Sequence, residues 1–148
     1  MSSATTLFRL LNPIMMVVLK SPLHSIVSNQ IMIITFTGRR SGKEYSIPIS
    51  YYQEERTVCC FTHAGWWVNI GEGSEIKLRI QGNEYQGIAK AFPEDTDLQA
   101  KYLSKMLKAL PSNAFAYNVS LDENGDPDEE QVRQAVMTTV MIKTEINE

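Results

Sequence analysis

The stretch of residues 31–52, IMIITFTGRRSGKEYSIPISYY, decides which fold the rest of the chain can adopt. It contains two apolar runs, residues 31–37 and 45–52, whose β-branched and alternating apolar residues are typical of strands. A short segment with two glycines, Gly-Arg-Arg-Ser-Gly-Lys, joins the two runs. This arrangement predicts an antiparallel hairpin with a polar tip.

The tip of this hairpin carries three cations, Arg39, Arg40 and Lys43, within five residues. Hairpin tips are commonly charged because they lie in water, so a solvated turn is one interpretation. The other is an anion site, because Gly38 and Gly42 allow backbone N–H groups to converge and arginine matches phosphate or carboxylate geometry. A nucleotide P-loop is excluded, because only three residues separate the glycines and a strand pattern follows. The pattern leaves both interpretations open.

Composition and charge narrow the class of protein. With 148 residues and 43% hydrophobic content, the chain is expected to form one domain, residues 1–148, with a helical segment at residues 7–28. The net charge of −3 argues against a general nucleic-acid binder. The first 43 residues nevertheless contain five lysines and arginines and no aspartate or glutamate. This separation predicts an anionic partner, either a small polyanionic ligand or an anionic lipid surface.

The amino-terminal segment is apolar from residue 7 to residue 19 and is interrupted by Pro13. We interpret it as a broken helix that covers a barrel opening or lies on a membrane surface. Its apolar stretch is too short to span a bilayer, and no signal-peptide pattern frames it. The sequence therefore predicts a cytoplasmic protein and leaves a weak membrane-surface contact open.

The remaining chain shows further strand and helix patterns. Strands are predicted at residues 56–63, 74–81, 84–92 and 138–146, and helices at residues 96–110 and from Pro127 to about Ala135. Asp126 is expected to cap the second helix, and Gly87 to mark a bulge or a close backbone approach. Five or six strands with few crossovers predict an antiparallel barrel or sandwich.

The cysteines, the histidines and the acidic segment of the sequence do not indicate a disulfide framework or a metal site. Adjacent Cys59 and Cys60 should point to opposite faces of a strand, so neither a disulfide framework nor a metal site is expected. His24 and His63 belong to no ligand-spaced cluster and are interpreted as ordinary core-edge or surface histidines. The acidic segment 122–130 fails as a calcium loop, because Pro127 stands where the loop needs glycine.

With these elements in place, the chain resembles the deazaflavin-dependent nitroreductase family. The likeness covers roughly residues 7–117 and rests on four fragments in order, LNPIMMVVLKSPLH, TFTGRRSGKEYSIPISYY, GWWVN and GIAKAF. The resemblance implies a mainly β fold with flanking helices, a six-stranded antiparallel split β-barrel of the FMN-binding type. It also implies the cofactor coenzyme F420, a polyanion with a phosphodiester and a glutamate tail, with FMN as the alternative.

The resemblance assigns roles to particular residues. Tyr45 stands where many members of the family have an arginine that adds to the anion site. Of several tyrosines that follow the last helix in nitroreductase members, only Tyr117 remains, with Ser112 nearby; both are candidate catalytic residues. Trp66 and Trp67 taken alone are also explained as core residues. The implied cofactor-binding residues are Thr37, Gly38, Arg39, Arg40, Ser41, Gly42, Lys43, Pro48, Trp66, Trp67 and Asn69.

The implied function is that of an F420-dependent oxidoreductase, which transfers hydride between the deazaflavin and a quinone-like or other conjugated small molecule. Nitroreduction itself is not favoured, because most of the family's tyrosines are missing. An FMN-binding split-barrel protein is the first alternative. The second, of another class, is a barrel without redox activity that binds a lipid or stores a cofactor. No Ser-His-Asp set and no paired carboxylates indicate hydrolysis.

Two predicted strands have apolar or aromatic residues on both faces, SIPISYY at residues 46–52 and TVCCFTH at residues 57–63. Since a strand face of this kind is usually covered, both strands are expected to lie between the barrel core and a second surface. The expected cover is the cofactor ring or a partner subunit. The sequence thus predicts a homodimer with the site near its interface, and Tyr51 as a contributor.

Overall fold

The computed structural model describes residues 30–147, which form one antiparallel sheet with two α-helices and two short 3-10 helices. The strands are β1 (Ile31–Thr37), β2 (Glu44–Ser50), β3 (Tyr52–Glu54), β4 (Thr57–Thr62), β5 (Ser74–Ile80), β6 (Asn83–Phe92) and β7 (Val140–Ile146). The α-helices are α1 (Thr96–Ala109) and α2 (Glu129–Ala135), and the 3-10 helices are Gly65–Asn69 and Pro111–Tyr117.

The strand order explains why the sheet is curled. The strands follow one another as β2-β1-β5-β6-β7-β4-β3, so β2 and β3 lie at opposite edges. Only Tyr51 separates these two strands in sequence, so the edges must approach each other and the sheet must curl. The mainly β, antiparallel half-barrel is consistent with the predicted split barrel. The expected count of six strands is wrong, because the predicted strand 45–52 is interrupted at the buried Tyr51 and forms two.

Two hydrophobic cores lie on the two faces of the sheet. The first fills the inside of the curl and includes Ile34, Leu78 and Ile142, all without measurable exposure. The second lies between the outer face of β4 and β7 and the helices, where Phe61 and Met141 pack with residues of α1 and α2. Burial of both faces makes β4 and β7 the central layer of the fold.

The cysteine pair confirms the alternation in β4. Cys60 belongs to the inner core and Cys59 to the core beneath the helices. The expectation that β4 turns its second face to a cofactor ring or partner subunit is wrong, because the chain's own helices cover it. Tyr51 likewise packs in the inner core, with 5% of its surface exposed. An apolar pattern on both faces of a strand indicates cover but does not reveal which element provides it.

Several local expectations are confirmed. β1 has the predicted bounds, and in β5 the alternate residues Ile76, Leu78 and Ile80 are buried. Gly87 marks a close backbone approach, because a Cβ at this position would lie 2.5 Å from the carbonyl oxygen of Glu145. That distance is too short for any side chain, so β6 and β7 can pair in this register only with glycine there.

The expected cap of the last helix is wrong by two residues. Asp128, and not Asp126, precedes α2, and its Oδ1 accepts a hydrogen bond from the backbone N–H of Gln131 at 2.9 Å. Pro127 instead forms an isolated bridge with Leu121, which holds it outside the helix. Both aspartates fit the preference for an N-cap, so the sequence does not distinguish them.

The amino-terminal segment predicted at residues 7–28, with its proposed membrane contact, lies outside the described residues. Among residues 30–147, no helix has both the length and the apolar character needed to cross a bilayer.

Candidate functional site

The hairpin turn between β1 and β2 is closed by two backbone hydrogen bonds. The N–H of Gly38 donates to the carbonyl of Lys43 at 2.7 Å, and the N–H of Gly42 donates to the carbonyl of Gly38 at 2.9 Å. Gly42 has a φ of 69°, a left-handed conformation that glycine adopts without steric cost. The side-chain Oγ of Ser41 accepts from the N–H of Lys43 at 3.2 Å. The turn is therefore ordered by short-range bonds, and its cations project from a fixed backbone.

A side chain from the first 3-10 helix ties that helix to the turn. The backbone N–H of Arg39 donates to Oδ1 of Asn69 at 3.0 Å. The Nδ2 of Asn69 donates to the carbonyl of Trp66 at 2.9 Å. Asn69 thus bridges two segments that are 30 residues apart, and it places the tryptophan segment beside the cationic turn.

A row of three aromatic rings extends from this junction. Phe36 lies between Trp66 and Tyr45, with ring centroids 5.1 Å and 5.9 Å apart and interplanar angles of 16° and 28°. Phe36 and Tyr45 are cross-strand partners in the β1–β2 register, so the hairpin itself aligns two of the rings. Stacked aromatic pairs of this kind stabilise each other by about 0.5–1.5 kcal/mol beyond their burial. The hydroxyl of Tyr45 lies 3.2 Å from Oγ of Ser41, which links the row to the turn.

Together these elements surround a cavity of about 700 Å³, here called the cation cavity. The cations of the cavity, Arg39 and Arg40, and Lys43 of the same turn form no ion pair with a carboxylate within the described part of the chain. The cavity combines exposed positive charge with an aromatic wall. The lining residues are Phe36, Gly38, Arg39, Arg40, Ser41, Tyr45, Ser46, Ile47, Trp66, Val68 and Asn69.

Most of the predicted binding residues meet at this cavity. Gly42 and Lys43 belong to the same turn without lining the cavity. Thr37 lines a neighbouring groove of about 210 Å³, and Trp67 packs against the inner core. Pro48 is buried in β2 and does not line the cavity. Part of the predicted cofactor-binding set therefore lines the cation cavity, and the other residues of the set lie outside it.

Sequence reasoning named Trp66 and placed Tyr45 at the anion site, but it missed Phe36, Ile47 and Val68 in the wall of the cavity. Tyr45 and Ile47 lie two residues apart on β2 and therefore share a face, while Phe36 lies opposite Tyr45. The alternation in the quoted stretch could have placed these residues on one side. It could not have shown that this side faces Trp66, because that contact joins distant segments.

The two candidate catalytic residues do not line the cation cavity. Tyr117 lines a different cavity of about 340 Å³, together with His63 from the end of β4. The two cavities have no lining residue in common. The Oγ of Ser112 lies 3.4 Å from Oε1 of Gln30 and lines neither cavity. The catalytic roles of Tyr117 and Ser112 stay predictions.

Comparison with known proteins rests on the fold. No model of a known protein family matches the chain. No curated protein sequence matches it either.

Solved structures with a similar fold have different ligands. The heme storage protein of Vibrio cholerae is 8% identical, with a TM-score of 0.56, over 87% of this chain and 91% of that one. A FAD-binding protein of Mesorhizobium loti is 13% identical, with a TM-score of 0.50, over 86% and 91%. An F420-H2-dependent reductase is 17% identical, with a TM-score of 0.50, over 78% and 94%. At these identities the likeness shows the fold alone.

The protein therefore shares its fold with these three proteins, an antiparallel half-barrel consistent with a split barrel. Within that fold, the function of this chain must be argued from its own site.

Proposed function

We propose that the protein is an F420-dependent oxidoreductase related to the deazaflavin-dependent nitroreductase family. It transfers hydride between the deazaflavin and a quinone-like or other conjugated small molecule. The observation that carries this proposal is the cation cavity, in which Arg39 and Arg40 adjoin a row of stacked rings, with Lys43 in the same turn. None of these three cations has a carboxylate partner among residues 30–147. A cofactor with an aromatic ring system and an anionic tail matches both parts.

The residues of the cavity suit such a cofactor in charge and in shape. The guanidinium groups of Arg39 and Arg40 offer paired donors to a phosphodiester, and the Lys43 ammonium adds a point charge beside them. The aromatic wall around Trp66 would cover one side of a planar ring and exclude water from it. When bound, the deazaflavin supplies the hydride chemistry. No proton-transfer step is assigned to Tyr117, because it lies in the other cavity.

FMN is the second candidate, and one observation favours it. Tyr45 lines the cavity and adds a ring and a hydroxyl, but no charge, where the family resemblance implies a further arginine. A smaller cation set would suffice for a single phosphate without a glutamate tail. A barrel that binds a lipid or stores a cofactor without redox activity is the remaining alternative.

Direct titration with both cofactors tests the proposal. The protein has two tryptophans, and Trp66 lines the cavity, so tryptophan fluorescence reports on binding there. We expect saturable quenching by F420 at lower concentration than by FMN, and oxidation of reduced F420 when a quinone is added. Tighter binding of FMN would favour the flavin alternative. Binding of neither cofactor would overturn both redox proposals.

We also propose that the protein is a homodimer. Two large apolar side chains, Phe115 and Met137, are 90% and 71% exposed. Each is next in sequence to a residue that lines the cavity of His63, so both lie in the same region of the surface. Exposed apolar surface of this kind is often covered by a partner. Sedimentation of the wild type and of Phe115→Ser should show a dimer that the substitution weakens; monomeric wild type at all concentrations would contradict the proposal.

A further inference from the structure

The cavity that contains Tyr117 is built from segments that are far apart in sequence. His63 follows β4, Ala116 and Tyr117 end the second 3-10 helix, and Asn118 follows that helix. Gln131 and Gln134 come from α2. Thr138 completes the lining just before β7. We call this the His63 cavity. Its volume of about 340 Å³ lies at the small end of the range of about 300–1,000 Å³ that is typical of ligand pockets.

His63 is held in a defined orientation. Its Nδ1 lies 3.1 Å from the backbone carbonyl of Thr138. Because a carbonyl oxygen only accepts hydrogen bonds, Nδ1 must carry the proton, and in the neutral ring Nε2 is then an acceptor. The described chain provides no hydrogen bond to Nε2. One acceptor of the ring is therefore available to a ligand.

Tyr117 is fixed beside this ring and keeps its proton. Its ring centroid lies 6.0 Å from that of His63 and 6.4 Å from that of Phe61, with which it makes an edge contact at 79°. Burial raises the pKa of the Tyr117 hydroxyl, and the nearby Cys60 thiol raises it further. Within residues 30–147 the hydroxyl has no hydrogen-bond partner, so it offers a donor that the fold does not use.

The amide side chains of α2 add one further donor and one further acceptor. Oε1 of Gln131 accepts from the N–H of Ser120 at 2.6 Å, which leaves its NH2 group free. Nε2 of Gln134 donates to Glu130 at 3.2 Å, which leaves its Oε1 free. No lysine, arginine, aspartate or glutamate lines the cavity. The lining residues therefore offer two donors and two acceptors, together with the rings of His63 and Tyr117, and no lysine, arginine or carboxylate.

We propose that the His63 cavity is a second small-molecule site, which binds a neutral aromatic carboxamide. The carbonyl of such a ligand accepts from the Tyr117 hydroxyl or the Gln131 amide, and its NH2 group donates to Nε2 of His63 or Oε1 of Gln134. The aromatic ring of the ligand would pack beside the His63 and Tyr117 rings, which both line the cavity. A carboxylate of the same size lacks the donors and would enter a cavity without a counter-charge, which costs free energy. The proposal does not depend on the cofactor of the cation cavity.

Benzamide and benzoate form a matched pair of probes, because they share a ring and differ in charge and in donors. The protein has two histidines, so the imidazole signals of His63 can be assigned in NMR spectra with one variant, His24→Gln. We expect benzamide to shift the His63 signals of the full-length protein to saturation. We expect benzoate to bind at least about tenfold more weakly. Unchanged His63 signals, or equal binding of the two probes, would overturn the proposal.

Two variants identify the groups that recognise the probe. Tyr117→Phe keeps the ring and removes the hydroxyl, and it should weaken benzamide binding about threefold to tenfold, as the loss of one neutral hydrogen bond does. Tyr85→Phe, which removes an exposed hydroxyl outside the cavity, is the control. His63→Phe should weaken benzamide binding by a similar factor. Saturation-transfer NMR spectra of the probe measure this change. Wild-type affinity in both cavity variants would contradict the proposed site.

Discussion

The two cavities of this protein differ in how they are assembled and in charge. The cation cavity is formed mainly by one hairpin and one neighbouring 3-10 helix, and its arginines form no ion pair among residues 30–147. The His63 cavity is formed by segments between residues 63 and 138, and no formal charge lines it. A charged site built from a continuous stretch can be recognised in a sequence. A neutral site assembled from distant segments gives no such signal.

The largest expected effect on this comparison is a loss of F420 affinity when the cations of the turn are removed. Arg39→Ala combined with Lys43→Ala should weaken F420 binding about a hundredfold, because each charge-assisted hydrogen bond contributes roughly 1.5 kcal/mol or more. Thermal stability should stay nearly unchanged, since both side chains are exposed. Lys101→Ala combined with Lys108→Ala removes the same charge elsewhere and serves as the control. Unaltered F420 affinity in the turn variant would restore the interpretation as a solvated turn.

The next effect concerns the proton on Tyr117. Because its folded pKa is raised above the ordinary value of 10.0, the folded state holds this proton more tightly than the unfolded state. Its contribution to stability is therefore complete below pH 10 and is lost as pH rises further, by up to about 1.4 kcal/mol per pH unit. Urea unfolding at pH 9.5 and 11 should show a smaller loss in Tyr117→Phe than in the wild type or in Tyr85→Phe. Equal losses would mean that the hydroxyl is not buried.

The backbone of the turn can be tested with two glycines. A Cβ at Gly38 would lie 2.6 Å from Oγ of Ser41 and 2.8 Å from Cε2 of Tyr45, whereas a Cβ at Gly65 would meet nothing within 4 Å. Gly38→Ala should lower the free energy of unfolding by about 1 kcal/mol through overpacking, and it should also weaken F420 binding. Gly65→Ala is the matched control. Equal stability and affinity of the two variants would show that the turn accommodates a Cβ at residue 38 without a steric clash.

The smallest effect would sharpen the choice of cofactor. Tyr45→Arg places a fourth cation beside the turn, and it should strengthen F420 binding about threefold, since an exposed charge pair contributes less than about 1 kcal/mol. Tyr85→Arg adds the same charge at another exposed tyrosine and should leave affinity unchanged. A stronger gain for FMN than for F420 would place a single phosphate, and not the glutamate tail, near residue 45.

The sequence by itself determined the positions of most strands, the hairpin and the cationic turn. These depend on alternation over a few residues and on the glycines of the turn, so β1, β5 and the close approach at Gly87 agree with the predictions. The apolar pattern of β4 also indicated correctly that both of its faces are covered.

Only the tertiary structure decided what covers those faces and which residues share a cavity. The helices, and not a ligand or partner, pack on the outer face of β4. Tyr117 lies beside His63 and not beside Arg39, and Phe36 stacks on Trp66. The physical reason is that side-chain periodicity is set by the local backbone, whereas cavities form where elements distant in sequence meet. Hydrophobic burial favours such contacts but does not specify which elements make them. The path of the whole chain determines which elements meet.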